Sequence, residues 1–147
     1  MYNLPERIKS KGEVEKIYTL GRAIVSTDKK VKAIYLFTSH DNWLGIKCAV
    51  TLSSKSGNSV WRNKFKRLIR ESIRAETDLL REIIFLGGSS VSIIFSPGSI
   101  TQINHRQIFL KDIKPAVLDI IFKIRKTLKK EQKAITATKT DLQIDAG

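Results

Sequence analysis

The densest cluster of basic side chains in this sequence lies between residues 55 and 74. This segment carries seven cations and one carboxylate, Glu71. Four of the cations recur every four residues, so a helix would place them in one row: Arg62, Lys66, Arg70 and Arg74. Like charges at this spacing repel, and a bound polyanion would neutralise them while releasing its own condensed counterions. The row favours nucleic-acid binding, and the alternative is a basic face that is only solvated.

An apolar stripe runs beside this row at helical spacing. Its members are Trp61, Phe65, Leu68, Ile69 and Ile73. We assign Trp61 and Phe65 to packing, because this spacing is typical of a helix that buries one side against a core. Asn63 and Arg67 complete the polar arc, and Ser59 is the predicted N-cap residue.

Composition limits the range of functions. A chain of 147 residues suffices for one domain with its own core, and a net charge of +13 indicates an anionic partner. Lipid is disfavoured, since no apolar run approaches the roughly 18 residues of a membrane span, and the N-terminus lacks the apolar core of a signal peptide. We therefore expect a cytoplasmic protein. Cys48 is the single cysteine and is predicted to be a small buried hydrophobe.

Catalytic groups are scarce. The two histidines, His40 and His105, fall in predicted loops without Cys or carboxylate at ligand spacing, so no metal site is predicted. Residues 57–64 lack the second Gly and the Lys-Ser/Thr pair of a phosphate-binding loop. This composition is typical of a protein that binds and positions a substrate rather than one that cleaves it.

Periodicity and turn residues predict an α+β fold. A capping box from Ser10 to Glu13 and a left-handed Gly21 would bound the first helix. Strands are predicted at residues 23–25, 31–38 and 44–52, then the basic helix, a helix at 77–86, a central strand at 91–95, and helices at 107–112 and 115–130. The prediction is a single domain over residues 1–130, with a four-stranded, mainly antiparallel sheet in the order αβββαβα. Residues 131–147 are predicted to be a disordered polar tail.

The basic segment resembles the signature of the bacterial ribonuclease P protein subunit. The matching residues are Gly57-Asn58-Ser59-Val60, Arg62-Asn63, Lys66-Arg67 and Arg70-Glu71. Further support comes from Arg7-Ile8-Lys9, Tyr18, Gly21, Ser53 and Lys55, and the resemblance runs from about residue 7 to about residue 128. Two positions depart from the pattern: Ser54 stands where the family usually has Lys, and Val14 replaces a common aromatic residue.

The resemblance implies a function in tRNA processing. In the family, the RNA subunit holds the catalytic Mg²⁺ ions that activate water and free the 5′ leader of precursor tRNA. The protein is the accessory subunit of this endoribonuclease, binds ribonuclease P RNA, and guides the single-stranded leader through a cleft. No catalytic residue on the protein, no membrane and no small-molecule substrate are expected. The resemblance also implies a left-handed crossover between the strands that flank the basic helix.

Two groups of site residues follow from the resemblance. The predicted RNA-binding residues are Lys55, Asn58, Arg62, Asn63, Lys64, Lys66, Arg67, Arg70 and Arg74. The predicted leader cleft consists of Val14, Tyr18, Tyr35, Phe37 and Lys47, in which aromatic rings could stack on bases. Alternation along the strand is equally consistent with Tyr35 and Phe37 lying in the core.

Two other functions remain open at this stage. A general structured-RNA-binding or ribosome-associated module would bind RNA without assisting cleavage. A stand-alone nuclease would cut without added RNA, and the scarcity of catalytic groups argues against it.

Overall fold

The computed structural model describes residues 6–38, 45–87 and 90–146, with four helices and five strands among them. The elements, in chain order, are β1 (Glu6–Arg7), α1 (Lys11–Leu20), β2 (Arg22–Val25), β3 (Val31–Thr38), β4 (Ile46–Val50), a 3-10 turn (Ser54–Ser56), α2 (Ser59–Arg74), α3 (Thr77–Gly87), β5 (Ser90–Pro97) and α4 (Leu110–Ala146). His40, and Leu44 of the predicted third strand, lie outside the described residues.

The sheet is mixed and has the strand order β1-β4-β5-β3-β2. The β1/β4 and β4/β5 pairs are parallel, whereas β3 is antiparallel to both β5 and β2. The α+β class and the central position of β5 are confirmed, but the prediction of four mainly antiparallel strands is wrong. Sequence periodicity could not reveal β1, because its two residues pair only with a distant strand. The predicted crossover joins parallel neighbours β4 and β5, and its hand stays a prediction.

The two faces of the sheet bury different helices. Val31, Ala33 and Tyr35 of β3 point into the main core, which they share with α2, α3 and α4. Ile34 and Leu36 point to the other side and pack in a smaller cluster with α1. Successive side chains of β3 therefore point to opposite faces of the sheet, and both faces carry apolar residues, as in a strand covered on both sides.

The basic helix forms as its periodicity predicts. The five residues of its apolar stripe are all buried in the main core, with Phe65 and Ile69 fully inaccessible. The N-cap residue is Asn58 rather than Ser59, since the Asn58 side chain accepts a 2.9 Å hydrogen bond from the backbone N–H of Trp61. Both residue types are good caps, and the tertiary contacts of residue 58 decide between them.

The first helix has its predicted bounds but ends differently. Ser10 caps it by accepting a hydrogen bond from Glu13 N–H. Gly21 follows its last residue with φ −76°, so the predicted left-handed conformation is wrong. A Cβ at Gly21 would lie 2.4 Å from the Ile17 carbonyl oxygen and 2.9 Å from the Tyr35 carbonyl oxygen. Close backbone approach is therefore what requires glycine there.

The two helices predicted at residues 107–112 and 115–130 form one helix in the structure. It begins at Leu110, and Pro115 lies inside it, where the proline ring removes a single backbone hydrogen bond close to the start. It continues to Ala146, over residues predicted to form the polar tail. Residues 131–146 contain no Gly or Pro, the two residues least favourable in a helix interior. Among the described side chains, Leu128 is the last that is buried.

Asp119 ties α4 to the turn between β2 and β3. One of its oxygens accepts hydrogen bonds from the backbone N–H and the hydroxyl of Thr27, at 2.7 and 2.9 Å. Lys123 forms an ion pair with the same oxygen at 3.2 Å. Desolvation would raise the pKa of Asp119, but the Thr27 hydrogen bonds and Lys123 outweigh it and hold the pKa below its ordinary value.

We predict that Asp119→Asn destabilises the protein near neutral pH by about 1–2 kcal/mol, since hydrogen bonds to a charged acceptor contribute about this much. A depressed pKa in the folded state adds stability above the unfolded-state pKa of about 3.9, and this stability is lost as the pH falls through the folded-state pKa. Urea unfolding from pH 7 to pH 3 should show the difference from wild type shrinking in acid. Asp78→Asn, at an exposed position in α3, is the control, and a pH-independent difference for Asp119→Asn would contradict this assignment.

Candidate nucleic-acid interface

The basic row of α2 borders a cleft of about 470 Å³ next to the β1–β4 edge of the sheet. We call it the cationic cleft. Its lining residues come from β1, α1, β4 and α2, and from the residues that directly follow β1 and β4: Glu6, Arg7, Ile8, Val14, Cys48, Ala49, Val50, Thr51, Lys66, Arg70, Ile73 and Arg74. Ile8 N–H donates a 3.1 Å hydrogen bond to the Cys48 carbonyl and so extends the short β1–β4 pairing into the cleft.

The cationic cleft has a strong excess of positive charge. Of its described lining residues, four are cations, Arg7, Lys66, Arg70 and Arg74, and one is a carboxylate, Glu6. Cations gathered along protein walls of low dielectric concentrate the field and attract counterions. The cleft is therefore suited to an anionic chain.

Six polar residues of α2 differ in their surroundings. Lys66, Arg70 and Arg74 line the cationic cleft. Arg67 is exposed beside Glu71, 3.6 Å away, and Asn63 is also exposed. Lys64 lies on another side, with its ammonium 5.1 Å from the ring centroid of Phe109. Three members of the predicted RNA-binding set therefore share the cleft.

Arg62 begins the basic row and is only half-buried. Its Nε is buried and has no hydrogen-bond partner in the described part of the chain. A buried donor without an acceptor costs about 1–3 kcal/mol. Arg62 is thus a guanidinium with unused hydrogen-bonding capacity at the end of the row.

The segment before α2 is held by a residue that sequence reasoning missed. Gln102 accepts a 2.8 Å hydrogen bond from Asn58 N–H through its side chain, and its own N–H donates to the Ser56 carbonyl at 2.8 Å. No local pattern could reveal this pairing, because 44 residues separate Asn58 from Gln102. Asn58 thus has a structural role as helix cap, while Lys55 is exposed on the 3-10 turn.

Two of the predicted leader-cleft residues lie at the cationic cleft. Val14 lines it. Tyr18 is 52% exposed, and its hydroxyl lies 3.0 Å from the hydroxyl of Thr51, another lining residue. Tyr18 therefore places an accessible aromatic ring at the rim.

Lys47 lies beside the cationic cleft rather than in it. Its ammonium forms a 3.1 Å ion pair with Glu13. Both residues line a neighbouring cavity of about 560 Å³, which shares Glu6 and Arg7 with the cleft.

Tyr35 and Phe37 occupy the opposite face of the sheet from Tyr18. Tyr35 is only 4% exposed and belongs to the main core, so the prediction that its ring stacks on a base is wrong. Phe37 is half-buried against the same core and meets Tyr35 edge to face, with ring centroids 5.6 Å apart. The β3 residues on the α1 side are Ile34 and Leu36. Alternation identified two faces but could not tell which one lies against α1.

Groups that could support protein-borne chemistry are not assembled in the described residues. No three His, Cys, Asp or Glu side chains there are grouped to hold a metal ion. Desolvation raises the pKa of the Cys48 thiol to about 12, so it is protonated at neutral pH. The backbone carbonyl of His105 accepts a 2.9 Å hydrogen bond from the Trp61 indole and so attaches its loop to α2.

No helix within residues 6–38, 45–87 and 90–146 is both long and apolar enough to cross a membrane.

Sequence comparison points to one family. A family model described as Ribonuclease P matches residues 3–114. The chain is 37% identical over 75 residues to the ribonuclease P protein component of Clostridium kluyveri, in a segment that covers 51% of this chain and 62% of that protein. It is 26% identical over 119 residues to the protein of the same name from Alkaliphilus metalliredigens, covering 81% and 93% of the two chains. The matched segment is thus under two thirds of the C. kluyveri relative.

Solved structures share the fold. The Staphylococcus aureus RNase P protein superimposes with a TM-score of 0.62 at 20% identity, over 83% of this chain and 96% of that chain. The RNase P protein from Thermotoga maritima gives a TM-score of 0.61 at 14% identity, over 80% and 96%. At these identities the likeness concerns the fold alone.

We predict that Gly57→Ala destabilises the protein by about 1–3 kcal/mol, the usual cost of overpacking. An added Cβ would come within 2.9 Å of the Gln102 side chain and 3.0 Å of the Trp61 ring. Thermal unfolding measures the effect. Gly12→Ala is the control, because its Cβ would meet only the Ser10 hydroxyl, at 3.6 Å, and removing a helical glycine stabilises by about 0.5–1 kcal/mol. Equal unfolding temperatures for Gly57→Ala and wild type would contradict the close approach.

Proposed function

Because the chain belongs to the ribonuclease P protein family, we propose that it is the protein subunit of ribonuclease P. In this proposal it binds the catalytic RNA and the 5′ leader of precursor tRNA, and assists Mg²⁺-dependent removal of the leader. The observation that supports it most is the cationic cleft, because the family-like segment of α2 supplies Lys66 and Arg70 to it.

The spacing of the basic row suits a phosphate backbone. Lys66, Arg70 and Arg74 succeed one another with a rise of about 6 Å along the helix, comparable to the separation of neighbouring phosphates along an RNA strand. Each neutralised phosphate releases condensed counterions, which makes such binding favourable and salt-dependent.

The rim of the cleft supplies a different kind of contact. A base of a single strand stacks on an aromatic ring with about 1–3 kcal/mol and little sequence preference. Tyr18 is the exposed ring beside the cleft, and Val14 offers an apolar surface inside it. We therefore assign the leader to the side of the cleft formed by α1, and the catalytic RNA to the side formed by α2.

Mg²⁺ enters the proposal as a cofactor held mainly by RNA. Mg²⁺ is bound by carboxylates and phosphates, and it activates water and stabilises charge in phosphodiester cleavage. The described residues do not fit a resident Mg²⁺ site, since the cationic cleft presents four cations against one carboxylate. The protein's own part is to bind and position RNA.

The proposed function involves two RNA partners, and one alternative function has to be distinguished from it. The partners are ribonuclease P RNA and precursor tRNA, and the expected location is the cytoplasm. A general RNA-binding module without a role in cleavage would use the same charge excess, so the distinction has to come from activity.

The decisive assay measures 5′ cleavage of precursor tRNA by a bacterial ribonuclease P RNA at low Mg²⁺, with and without this protein. We expect the protein to accelerate cleavage by the RNA and to cut nothing alone. Arg70→Ala should weaken binding to the catalytic RNA and reduce the slope of log affinity against log salt by about one, because one phosphate is no longer neutralised.

Arg81→Ala is the matched control, because it removes the same charge from an exposed position on α3 that does not line the cleft. Cleavage that is unchanged by the protein would overturn the proposed function. An equal salt slope for Arg70→Ala and Arg81→Ala would overturn the assignment of the cleft.

We predict that Tyr18→Ala weakens binding of precursor tRNA to the assembled enzyme by roughly 5- to 100-fold, as expected when one base no longer stacks, while binding of mature tRNA is unchanged. Tyr18→Phe keeps the ring, removes only the hydroxyl that meets Thr51, and should retain most of the affinity. Phe37→Ala should instead lower the unfolding temperature, because Phe37 packs on the main core. If Tyr18→Ala affects both tRNAs equally, the leader does not stack there.

A further inference from the structure

A second cationic groove lies at the opposite edge of the sheet, between β2 and α4. It has a volume of about 480 Å³. Its cations are Arg22, Lys123, Lys126 and Lys130, and its apolar lining includes Ile24 and Tyr35. Among the side chains that the structure describes, no carboxylate lines it. We call it the β2–α4 groove.

The cations on the two sides of α4 differ in whether a carboxylate lies close to them. Arg125 and Lys129 point toward α3, where Glu82 lies 2.7 and 3.8 Å from them. Lys126 and Lys130 are exposed in the β2–α4 groove, and no carboxylate among the described side chains forms an ion pair with either. Of these four described cations of α4, the two facing α3 are therefore near a carboxylate and the two in the groove are not.

Specific contacts between α4 and β2 hold the two sides of the groove together. The ammonium of Lys123 donates a 2.9 Å hydrogen bond to the Val25 carbonyl on β2 and pairs with Asp119 on its own helix. Asp119 in turn holds the turn after β2 through Thr27. These contacts fix α4 against the edge strand, and all three of those to Asp119 use one oxygen of its carboxylate.

We propose that the β2–α4 groove binds the sugar-phosphate backbone of an RNA segment distinct from the one in the cationic cleft. Lys126 and Lys130 are separated by a rise of about 6 Å along the helix, which again matches neighbouring phosphates. With β5 and β3 between them, β4 and β2 lie about 14 Å apart at the usual strand spacing. The protein would therefore contact RNA at two sheet edges. The proposal rests on the proposed function, since it assumes an RNA partner.

The observations favour RNA over an acidic peptide. The groove offers cations without hydrophobic anchors of the kind that fix a peptide, because its apolar residue of largest size, Tyr35, is almost wholly buried. A backbone of regularly spaced phosphates needs only the cations.

The experiment compares full-length variants for binding to a bacterial ribonuclease P RNA and, in a second arm, to precursor tRNA, from 50 to 400 mM salt. Lys126→Ala together with Lys130→Ala should reduce the slope of log affinity against log salt by about 0.7–0.9 for each phosphate that is no longer neutralised. The arm that responds identifies the RNA bound in the groove. Alanine keeps the helix, so the unfolding temperature should not fall.

The matched control is Arg81→Ala together with Lys129→Ala, which removes the same charge from the α3 side of the molecule and should leave the slope closer to wild type. A third variant, Lys66→Ala with Arg70→Ala, tests the cationic cleft in parallel. If this cleft variant has a reduced slope while the groove variant matches its control in both arms, the groove proposal is overturned and the proposed function stands. If neither variant has a reduced slope in either arm, both are overturned. Equal reductions for the groove variant and its control would also overturn the groove, because they would reflect net charge alone.

Discussion

The structure depends on the burial of one side of α2 against the sheet and α4. Each large apolar side chain of the stripe contributes about 1.5–3 kcal/mol on burial, whereas each like-charge pair four residues apart in the basic row costs about 0.2–0.5 kcal/mol. Packing therefore outweighs repulsion, and the helix can keep Lys66, Arg70 and Arg74 together on the side that borders the cationic cleft. Binding of RNA would neutralise these cations and relieve the repulsion between them.

The rest of the molecule orients this helix. Asn58 and Gln102 set where α2 begins, and the Trp61 indole bonds to the loop that leads into α4. The other side of the cleft is supplied by β1 and α1, whose Tyr18 reaches Thr51 after β4. The cleft thus has one cationic wall from α2 and one mixed wall from other parts of the chain, which suits the two RNA segments of the proposed function.

Features encoded locally were predictable, and features fixed by distant contacts were not. The buried stripe of α2 follows from the spacing of its apolar residues. The alternation of β3 has apolar residues on both faces, so sequence could not decide whether Tyr35 or Leu36 lies on the α1 side. The strand β1 exists only through its pairing with β4, and Gln102 acts on residues far away in sequence.

The central claim is that the cleft side of α2 faces RNA. Lysine acetylation, read out by mass spectrometry on the protein alone and bound to a bacterial ribonuclease P RNA, tests it most directly. Lys66 lines the cationic cleft, whereas Lys16 is exposed on α1 and does not. We expect RNA to slow acetylation of Lys66 several-fold more than that of Lys16. Equal modification of Lys66 in the free and bound protein, under conditions where binding is complete, would contradict it.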